Sequence, residues 1–580
     1  MHLKQQKRGS GRVYLSIEES FRVGGKTKSR HVQAVGYVDD LATAECPDPV
    51  AFWKAEVARR NAEAKAAAAP IMVKFTAERR IDKRDREGQV DLGAAVPSAY
   101  FHRDLGIGGF FERRRTARNF DYDPCRILEL LAWNRIASPA SKKRAWEARG
   151  RFPRKCPFSP DAVYRSLDYL DANADALVRH MNASMDKARG PRNRTRLYYD
   201  VTNYYFEVDG EDDGDGLRRR GASKEHRPEP IVQMGLLLDG DGVPMDYDLF
   251  PGNTGDMPTM LPVMKKAGLR RAEGDPGAGR VVMVADKGLN TSDNIAACTL
   301  DGNGFIISQS VRKATRALKA WVLDGAGYEG NAAGTFKIKS RISDKRVRVT
   351  CEDGKRREVK VPVKEIAFRP RDYFERSRIE RERVVEKSRA AVARGDMAGV
   401  VARSAARYAK DLPVVKATGE AASHNWTIDE GKIAADGEMD GYYCIITSEQ
   451  EMGDLDVIDA YRGLWRIEES FRVTKGDFDA RPVFVSTQAH IRAHFLICYV
   501  ALLIMRLMQL DTGRRHSAER ISEALRNVVG HRMDANLYLF DYRTDLTDEL
   551  AAAAGIDLSR QVLRKGRISQ VMADVRKPRS

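Results

Sequence analysis

The sequence predicts an α/β protein whose central sheet is interrupted by a long insertion. Short apolar strands begin near residue 195, where three strands in succession precede a helix, a strand, a helix and a strand, an order typical of a sheet that begins antiparallel. Residues 311–440 break this order with charged strands and an Arg-rich helix, and the strand YYCIITS then resumes it. The residues before about 190 show mainly helical periodicity. We therefore expect a mixed sheet flanked by helices, a mainly β inserted domain and a largely helical N-terminal region.

The N-terminal third of the chain divides into a β-hairpin and a helical region. The alternating stretch VYLSIEESFRV, a Gly-Gly turn and the stretch KSRHVQAVGYV predict a hairpin within residues 1–45. Residues 46–190 are mainly helical, because a charged, Ala-rich stretch covers 49–69 and ILELLAWNRI is amphipathic. A further helix begins at Ser159, an N-cap residue that is followed by proline.

The sheet is predicted in two parts, residues 191–310 and 441–530, on either side of the insertion. The strands of the first part are LYYDVTNYYFEV, IVQMGLLLD, PMDYDLF, RVVMVAD and GFIIS, and helices follow the third and fourth of them. The strands of the insertion are TFKIKSR, RVRVTCE and REVKVPV, and its charged helix covers residues 369–383. Residues 531–580 form a basic C-terminal region with an end that we expect to fray.

Composition predicts a basic, multidomain chain without a membrane role. At roughly 150 residues per domain the chain corresponds to about four domains, and Lys and Arg exceed Asp and Glu by 17, which favours a polyanionic partner. The seven cysteines occur singly and without a CxxC pair, which indicates a reducing cytoplasm and argues against structural zinc. The longest apolar run, from Phe495 to Met505, is shorter than the ~20 residues that span a bilayer and predicts a buried core helix.

Two aspartates stand out by their positions in predicted strands. Asp200 interrupts an aromatic strand, where an ionised group must be solvated, paired or bound to a metal. Asp286 ends the apolar strand VVMVAD, and ligands collect at the carboxyl ends of strands in α/β sheets. Taken alone, the first residue could be an outward-facing strand residue and the second a turn cap.

A third carboxylate lies on the predicted helix DAYRGLWRIEESFRVTK. Five of its residues recur at offsets of 4, 7, 11 and 14 and share one stripe, namely Tyr461, Trp465, Glu468, Arg472 and Lys475. The alternative interpretation is a core stripe in which Glu468 pairs with Arg472. Together with the two aspartates, Glu468 suggests a site for two Mg²⁺ ions, or Mn²⁺ in their place, because hard oxygen ligands suit these ions better than zinc. Such a pair, roughly 3.5–4 Å apart, activates a water or 3′-hydroxyl and steadies the leaving oxygen of a phosphodiester.

Four stretches carry a further signal: YYDVTNYYFEV; GLLLDGDGVPMDYDLFPGNTGD; VMVADKGLNTSDNI; and YRGLWRIEESFRVTK followed by HIRAHFLICYVALLIMR. In order and context, over roughly 195–310 and 440–510, they resemble the DDE insertion-sequence transposases, which have an RNase H-like catalytic domain. The closest resemblance is to the branch with a β-rich insertion between the second Asp and the Glu and a Tyr-Arg-Glu-Lys signature on the Glu helix. The N-terminal hairpin and RILELLAWNRIASPASKKRAW resemble the front end of the same family more weakly.

The resemblance implies roles for individual residues. Asp200, Asp286 and Glu468 would be the catalytic, metal-binding triad, and Tyr461 and Lys475 fall on the Tyr and Lys of the signature. The signature Arg, three residues after Tyr461, is replaced here by a leucine. The residues that could supply the missing cation are Arg462, Arg466 and Arg472, of which Arg472 lies on the stripe.

Further DNA contacts are expected outside the triad. Trp465 lies on the stripe, and Trp426 near the end of the insertion could stack on a displaced base or be a buried aromatic. Arg114 and Lys142, each within a short run of cations, are candidate phosphate contacts or parts of solvated faces.

The function implied by the resemblance is cut-and-paste DNA transposition. The partners would be double-stranded DNA, as terminal inverted repeats and target, and a second copy of the chain in a homodimeric synaptic complex. The protein would be cytoplasmic in a bacterium and nucleoid-associated when bound to DNA. Two alternatives stay open: an RNase H-like nuclease without strand transfer, and an inactive or domesticated DNA-binding protein.

Overall fold

The computed structural model of the chain forms two compact units, residues 1–84 and 85–580. The structure describes residues 1–9, 11–23, 26–43, 46–66, 88–115, 121–207, 214–225, 227–269, 279–350, 355–394, 405–413, 424–533 and 536–577. The first unit contains an antiparallel sheet in the order β1-β2-β3 and two helices. Its elements are β1 (His2–Lys7), β2 (Val13–Val23), β3 (Lys26–Tyr37), α1 (Val38–Leu41) and α2 (Pro49–Ala66).

The predicted N-terminal hairpin is confirmed. Strands β2 and β3 pair antiparallel, from Tyr14 opposite Tyr37 to Val23 opposite Lys26. Leu15 and Ile17 of β2 are fully buried, so the alternating apolar residues of this stretch point into a small core. The polar first residues add strand β1, which the alternation did not predict. The Gly-Gly turn and residues 67–69 of the predicted first helix lie outside the described residues.

Helices dominate the first 100 residues of the second unit, as predicted. Their N-termini use the capping residues that the sequence offers: Ser159 accepts a hydrogen bond from the Ala162 N–H at 3.1 Å, and Asp123 accepts one from Arg126 N–H at 3.1 Å. The elements are β4 (Gln89–Asp91), α3 (Ala95–Ala99), α4 (Ile107–Arg115), α5 (Pro124–Ala137), α6 (Lys142–Glu147), α7 (Pro160–Ala172) and α8 (Ala174–Arg189).

A mixed sheet follows, in the order β10-β11-β12-β15-β9-β8-β5-β6-β7. Strands β5, β8 and β9 are parallel to one another, and the other pairings of this sheet are antiparallel. The elements up to the insertion are β5 (Arg196–Tyr205), β6 (Ile231–Leu238), β7 (Pro244–Pro251), α9 (Met260–Lys266), β8 (Val282–Ala285), α10 (Ser292–Leu300) and β9 (Gly304–Gln309). The predicted α/β class, a mixed sheet flanked by helices, is thereby confirmed.

The insertion is built onto this sheet rather than standing apart from it. Its long hairpin pairs through β12 with β15, so the insertion extends the sheet at the β9 side. Residues 336–341 of TFKIKSR and 346–350 of RVRVTCE belong to one strand, because the pairing of β11 with β12 runs unbroken through both, and the last two residues of RVRVTCE lie outside the described residues. The elements are α11 (Arg316–Leu323), β10 (Glu329–Gly330), β11 (Phe336–Thr350), β12 (Arg356–Pro370), α12 (Arg371–Arg394), β13 (Ala409–Pro413), β14 (His424–Ile428) and α13 (Glu430–Glu438).

The last part of the chain returns to the sheet and then covers it with helices. Its elements are β15 (Tyr443–Thr447), α14 (Asp454–Arg462), α15 (Trp465–Lys475), α16 (Gln488–Asp511), α17 (Ala518–Asn527), β16 (Val529–Met533), β17 (Leu537–Phe540), α18 (Asp545–Ala553), β18 (Val562–Arg564) and α19 (Lys565–Asp574). Helix α16 is long and apolar enough to cross a membrane by length and composition, but 94% of its apolar window is buried inside the protein. It packs against α5, α7 and β7 and is the core helix that the sequence predicts.

One prediction about the last part is wrong in detail. The stretch DAYRGLWRIEESFRVTK forms two helices, α14 and α15, with a break at Gly463. In the C-terminal region α19 buries Ile568, Val571 and Met572, and residues 578–580, where fraying is expected, lie outside the described residues. The six-part division of the chain stays a prediction, although the helices of 95–189 share one hydrophobic core with a face of the mixed sheet.

Candidate active site

The register of the parallel strands brings Asp200 and Asp286 side by side. Tyr199 of β5 pairs with Ala285 of the parallel strand β8. The residues that follow them, Asp200 and Asp286, therefore lie side by side on adjacent strands. Alternation along both strands assigns Leu197, Tyr199, Met283 and Ala285 to one core, and Tyr198 and Val284 to the other. Asp200 and Asp286 therefore point to the face of Tyr198, on which helices α14–α16 lie.

Helix α15 is held on this face by two tyrosines of β5. At its N-terminal end a guanidinium N–H of Arg466 donates to the Tyr198 hydroxyl at 3.3 Å, and near its C-terminal end the hydroxyls of Tyr204 and Thr474 are 2.7 Å apart. A side chain at Gly463 would place its Cβ 2.2 Å from the Tyr198 hydroxyl oxygen, so only glycine permits this approach. The contacts fix the first turn of α15, which carries Glu468, over the strand that carries Asp200.

Asp200 is a buried carboxylate with a strongly perturbed proton affinity. Burial raises its pKa to about 6, and the negative charge of Asp286 acts in the same direction. The charge of Lys224 and a hydrogen bond from the Val201 N–H, 2.7 Å from Oδ1, oppose this rise. A buried carboxylate with a perturbed pKa in a cleft is a candidate functional group.

Asp286 is oriented by two hydroxyl groups. Ser308 Oγ and the Tyr461 hydroxyl each donate to Oδ1 of Asp286 at 2.9 Å. Its other oxygen, Oδ2, accepts no hydrogen bond from the described part of the chain. Burial and the neighbouring Asp286 raise the pKa of Tyr461, which therefore stays a neutral donor.

The three carboxylates line one cleft of about 470 Å³. Glu468 is exposed and makes no ion pair with the described residues, and it lies in the first turn of its helix, where the helix dipole favours a negative charge. One wall is aromatic, with the rings of Tyr373 and Tyr443 4.4 Å apart. The remaining lining residues are Lys287, Phe368, Pro370, Ile458, Tyr461, Arg462, Leu464, Trp465 and Ile467.

The carboxylate oxygens of this cleft suit a hard divalent cation, but they are not gathered closely enough to hold one in this structure. Carboxylate oxygens are the ligands that Mg²⁺ prefers, and the cleft offers the free Oδ2 of Asp286 and the buried carboxylate of Asp200. Among the described residues, however, no three Asp, Glu, His or Cys side chains lie close enough together to hold an ion. Carboxylates without a counter-charge repel one another, which agrees with their separation in this structure.

Some predicted contacts lie away from the cleft. Arg472 is exposed and pairs at 3.9 Å with Glu469. Lys475 lies 3.4 Å from Glu225 and near Asp200, and burial together with the charge of Lys224 lowers its pKa to about 8. Of the predicted contacts on this stripe, Tyr461 and Trp465 line the cleft and Arg472 does not.

The three remaining predicted DNA contacts lie elsewhere in the fold. Trp426 is half-buried in the β13–β14 pair of the insertion. The Arg114 guanidinium lies 3.7 Å from the centre of the Phe110 ring, on α4. Lys142 is a correction: its ammonium is buried 2.7 Å from His494 Nδ1, so it is not available to a DNA phosphate in this structure.

Of the three arginines that could supply the missing cation, Arg462 lines the cleft. Sequence reasoning missed two other charged residues near the carboxylates. Lys224 donates to the Val201 carbonyl at 2.5 Å and acts on the charge of Asp200. Asp256 adds a fourth negative charge near Asp200. Each lies in a loop or at a helix end, where a charged residue is also the ordinary choice for solubility or capping, so no local signal marks it.

Comparison with known families decides what kind of protein carries this cleft. A family model of the transposase DDE domain matches residues 206–504, slightly more than half of the chain, and the match contains Asp286 and Glu468. The chain belongs to the DDE transposases. A second model, of the N-terminal domain of IS1634 family transposases, matches residues 2–69 of the transposase. No curated relative matches it significantly.

The matches agree with the geometry of the fold. The DDE match begins six residues after Asp200 and runs through the insertion to helix α16. The mixed sheet agrees with an RNase H-like DDE domain. The protein is therefore a DNA transposase of an insertion sequence, an enzyme that binds DNA and whose family uses divalent metal ions.

Proposed function

We propose that the transposase cuts and joins the ends of its own insertion sequence by metal-dependent phosphodiester hydrolysis and strand transfer. Asp200, Asp286 and Glu468 hold the metal ions in this proposal. The observation that carries it is the register of β5 and β8, which sets two carboxylates side by side under the helix that carries the third. Bound Mg²⁺ would supply activation of the attacking oxygen and stabilisation of the leaving oxygen.

The residues of the chain itself orient these groups and attract the substrate. Tyr461 and Ser308 hold Oδ1 of Asp286 and leave Oδ2 for the cation. Lys224 and Lys475 lie beside Asp200 and favour the approach of a phosphate. Glu468, which has no ion-pair partner among the described residues, would be the third carboxylate to hold a cation, whose charge would offset the repulsion between the three.

The proposal extends to the DNA ends and to the assembly. The terminal inverted repeats and a target duplex are the substrates, and two copies of the chain form the synaptic complex, each cleaving the end that the other holds. Arg114 and Trp426 are proposed DNA contacts, since one is on an N-terminal helix and the other on the insertion that extends the catalytic sheet. In the cell the transposase is cytoplasmic and joins the nucleoid when it binds DNA.

Isosteric variants of the triad test the chemistry. Asp200→Asn, Asp286→Asn and Glu468→Gln should each abolish Mg²⁺-dependent cutting of a labelled duplex with the element's end, while anisotropy shows nearly unchanged end binding. The reason is that each change removes a metal-binding charge and keeps the side chain's shape. Glu469→Gln is the matched control, because Glu469 is the next residue on α15 and faces Arg506 instead of the cleft.

The products separate the alternatives. Cuts at the element boundary together with joined products, both absent in the triad variants, support transposition. Random nicking would instead favour an RNase H-like nuclease, and binding without cutting by the wild-type protein would favour an inactive DNA-binding protein. A triad variant that still cuts would remove its residue from the site.

A further inference from the structure

A second, larger groove lies outside the carboxylate cleft and is lined by basic residues. It has a volume of about 950 Å³ and runs between residues 147–157 and the C-terminal helix α19. None of its lining residues lines the carboxylate cleft. Of the described residues that line it, one is acidic, Glu147, and the basic ones are Arg126, Arg149, Arg154, Lys155, Lys565 and Arg576.

Part of this positive charge is neutralised beneath the surface. Glu129 is buried, and Arg154 contacts its carboxylate at 3.1 Å. Burial opposes ionisation of Glu129, but the hydrogen bond with His102 and the charges of His102, Arg154 and Arg126 lower its pKa to about 2. Glu129 is therefore ionised at neutral pH and offsets one of the cations above it.

The rest of the positive charge is exposed. Lys155 and Lys565 are exposed, and their ammonium groups make no ion pair within the described part of the chain. Arg149 spreads over the Trp146 ring, 3.8 Å from its centre, so its guanidinium plane is held in place. Arg576, which pairs with Glu112, is also partly exposed.

The two walls of the groove are tied together, so its shape exists before any ligand arrives. Helix α19 buries three apolar side chains in the core. Arg154 donates to the Met572 carbonyl, and Arg103 donates to the carbonyls of Ala554 and Asp574 at 2.6 and 2.7 Å. A binding site that is already formed loses little entropy on binding, which favours affinity.

We propose that this groove binds the sugar-phosphate backbone of double-stranded DNA, away from the cleft where the strands are cut. The inference rests on the proposed function only in taking DNA as the substrate. Lys155 and Lys565 supply point charges on opposite walls, and Arg149 supplies a planar donor. Phe152, Ile568 and Met572 also line the groove but are almost fully buried, so its accessible contacts are mainly the charged ones. Contacts of this kind position a duplex without reading its sequence.

The salt dependence of DNA binding tests the proposal. In the full-length protein, Lys155→Gln/Lys565→Gln removes two exposed cations and leaves the buried network intact. Each lost phosphate contact lowers the slope of log K against log[salt] by about 0.9, so the double variant should show a slope smaller by roughly 2. Fluorescence anisotropy between about 50 and 200 mM NaCl measures this slope.

The matched control removes two cations outside the groove. Arg179→Gln/Lys187→Gln changes two exposed residues of α8 that make no ion pair in the described ranges, and it should leave the slope unchanged. A groove variant with the wild-type slope, or a control variant with an equally reduced slope, overturns the proposal. An acidic protein as the true ligand would give the first of these results.

Two duplexes identify which DNA occupies the groove. A reduced slope with both an element-end duplex and a scrambled duplex supports a contact with any DNA, target included, and a reduced slope with the end duplex alone supports a contact with the end. The cutting assay is run in parallel to separate the two proposals. If the wild-type protein binds DNA with the expected salt dependence but cuts nothing, only the proposed function is contradicted. If the wild-type protein cuts and the Lys155→Gln/Lys565→Gln variant keeps the wild-type slope, only the groove proposal is contradicted.

Discussion

At the scale of single residues, the cleft depends on groups that orient the carboxylates. The Tyr461 hydroxyl donates to Asp286 and has no charge of its own to offer. Loss of such an outer contact typically costs 10–100-fold in metal affinity or activity. We expect Tyr461→Phe to raise the Mg²⁺ concentration for half-maximal cutting about tenfold and to leave end binding unchanged.

The control for this change is Tyr164→Phe, which removes a hydroxyl from a more exposed tyrosine on α7. It should cut at the wild-type rate across the Mg²⁺ titration. An unchanged Mg²⁺ requirement in Tyr461→Phe would mean that Ser308 alone suffices to orient Asp286.

The burial of Lys142 lowers the free energy of unfolding by a measurable amount. Burial, together with the charge of Arg135, lowers its pKa from 10.5 to about 7. Between about pH 7 and 10.5 the unfolded chain therefore binds one more proton than the folded chain, and wild-type stability rises with pH in that window. Lys142→Met removes this cost and one hydrogen bond, and should stabilise by ~3 kcal/mol near pH 6.

The gain from Lys142→Met should shrink as the pH rises toward 10.5, since the ammonium then loses its proton in the unfolded chain as well. The unfolding midpoints of the wild-type protein and of Lys142→Met across this pH range measure the change in this gain. Lys143→Met, the exposed neighbour on α6, should show no such pH dependence. A constant difference between wild type and Lys142→Met would contradict the buried ammonium.

At the scale of elements, the positions of the arginines on α14 and α15 set which of them lies at the cleft. Arg462 is the last residue of α14 and lines the cleft, whereas Arg472, one turn after Glu468 on α15, does not. We expect Arg462→Gln to slow cutting roughly tenfold or more, since a hydrogen bond to a charged group contributes about 1.5–3 kcal/mol.

Arg472→Gln is the matched comparison for this prediction. Both arginines are exposed, and each lies near a carboxylate three residues before it, at 3.4 Å for Arg462 and 3.9 Å for Arg472. Arg472→Gln should cut at nearly the wild-type rate. The reverse order of the two rates would favour Arg472 as the residue that supplies the missing signature cation.

At the scale of the whole molecule, metal binding should appear as stability. A cation that binds the folded chain alone stabilises it by about 2.7 kcal/mol at 100 times Kd. We therefore expect Mg²⁺ to raise the unfolding midpoint of the wild-type transposase, and Mn²⁺ to do the same. Asp286→Asn should lose this dependence, whereas Glu469→Gln should keep it. A wild-type midpoint that does not respond to either ion would contradict the metal site.

Much of the fold follows from local sequence. The strands around Asp200 and Asp286 were predicted because their apolar and β-branched runs have few other stable arrangements, and the α7 start was predicted because Ser159 is followed by proline. The close approach of Gly463 to Tyr198 could not be predicted, because that tyrosine lies more than 260 residues away. Lys142 was misplaced for the same reason, since its partner is on α16.

The sequence by itself determined the α/β class, the elements that carry the three carboxylates and the membership of the DDE transposases, because each depends on short stretches of pattern and motif. Only the tertiary structure decided that Asp200 and Asp286 are neighbours, since that depends on the register of β5 against β8. It also decided that the insertion extends the mixed sheet and that distant segments form a basic groove. The physical reason is that strand register, burial of a charge and the closing of a groove are set by contacts between residues far apart in the chain.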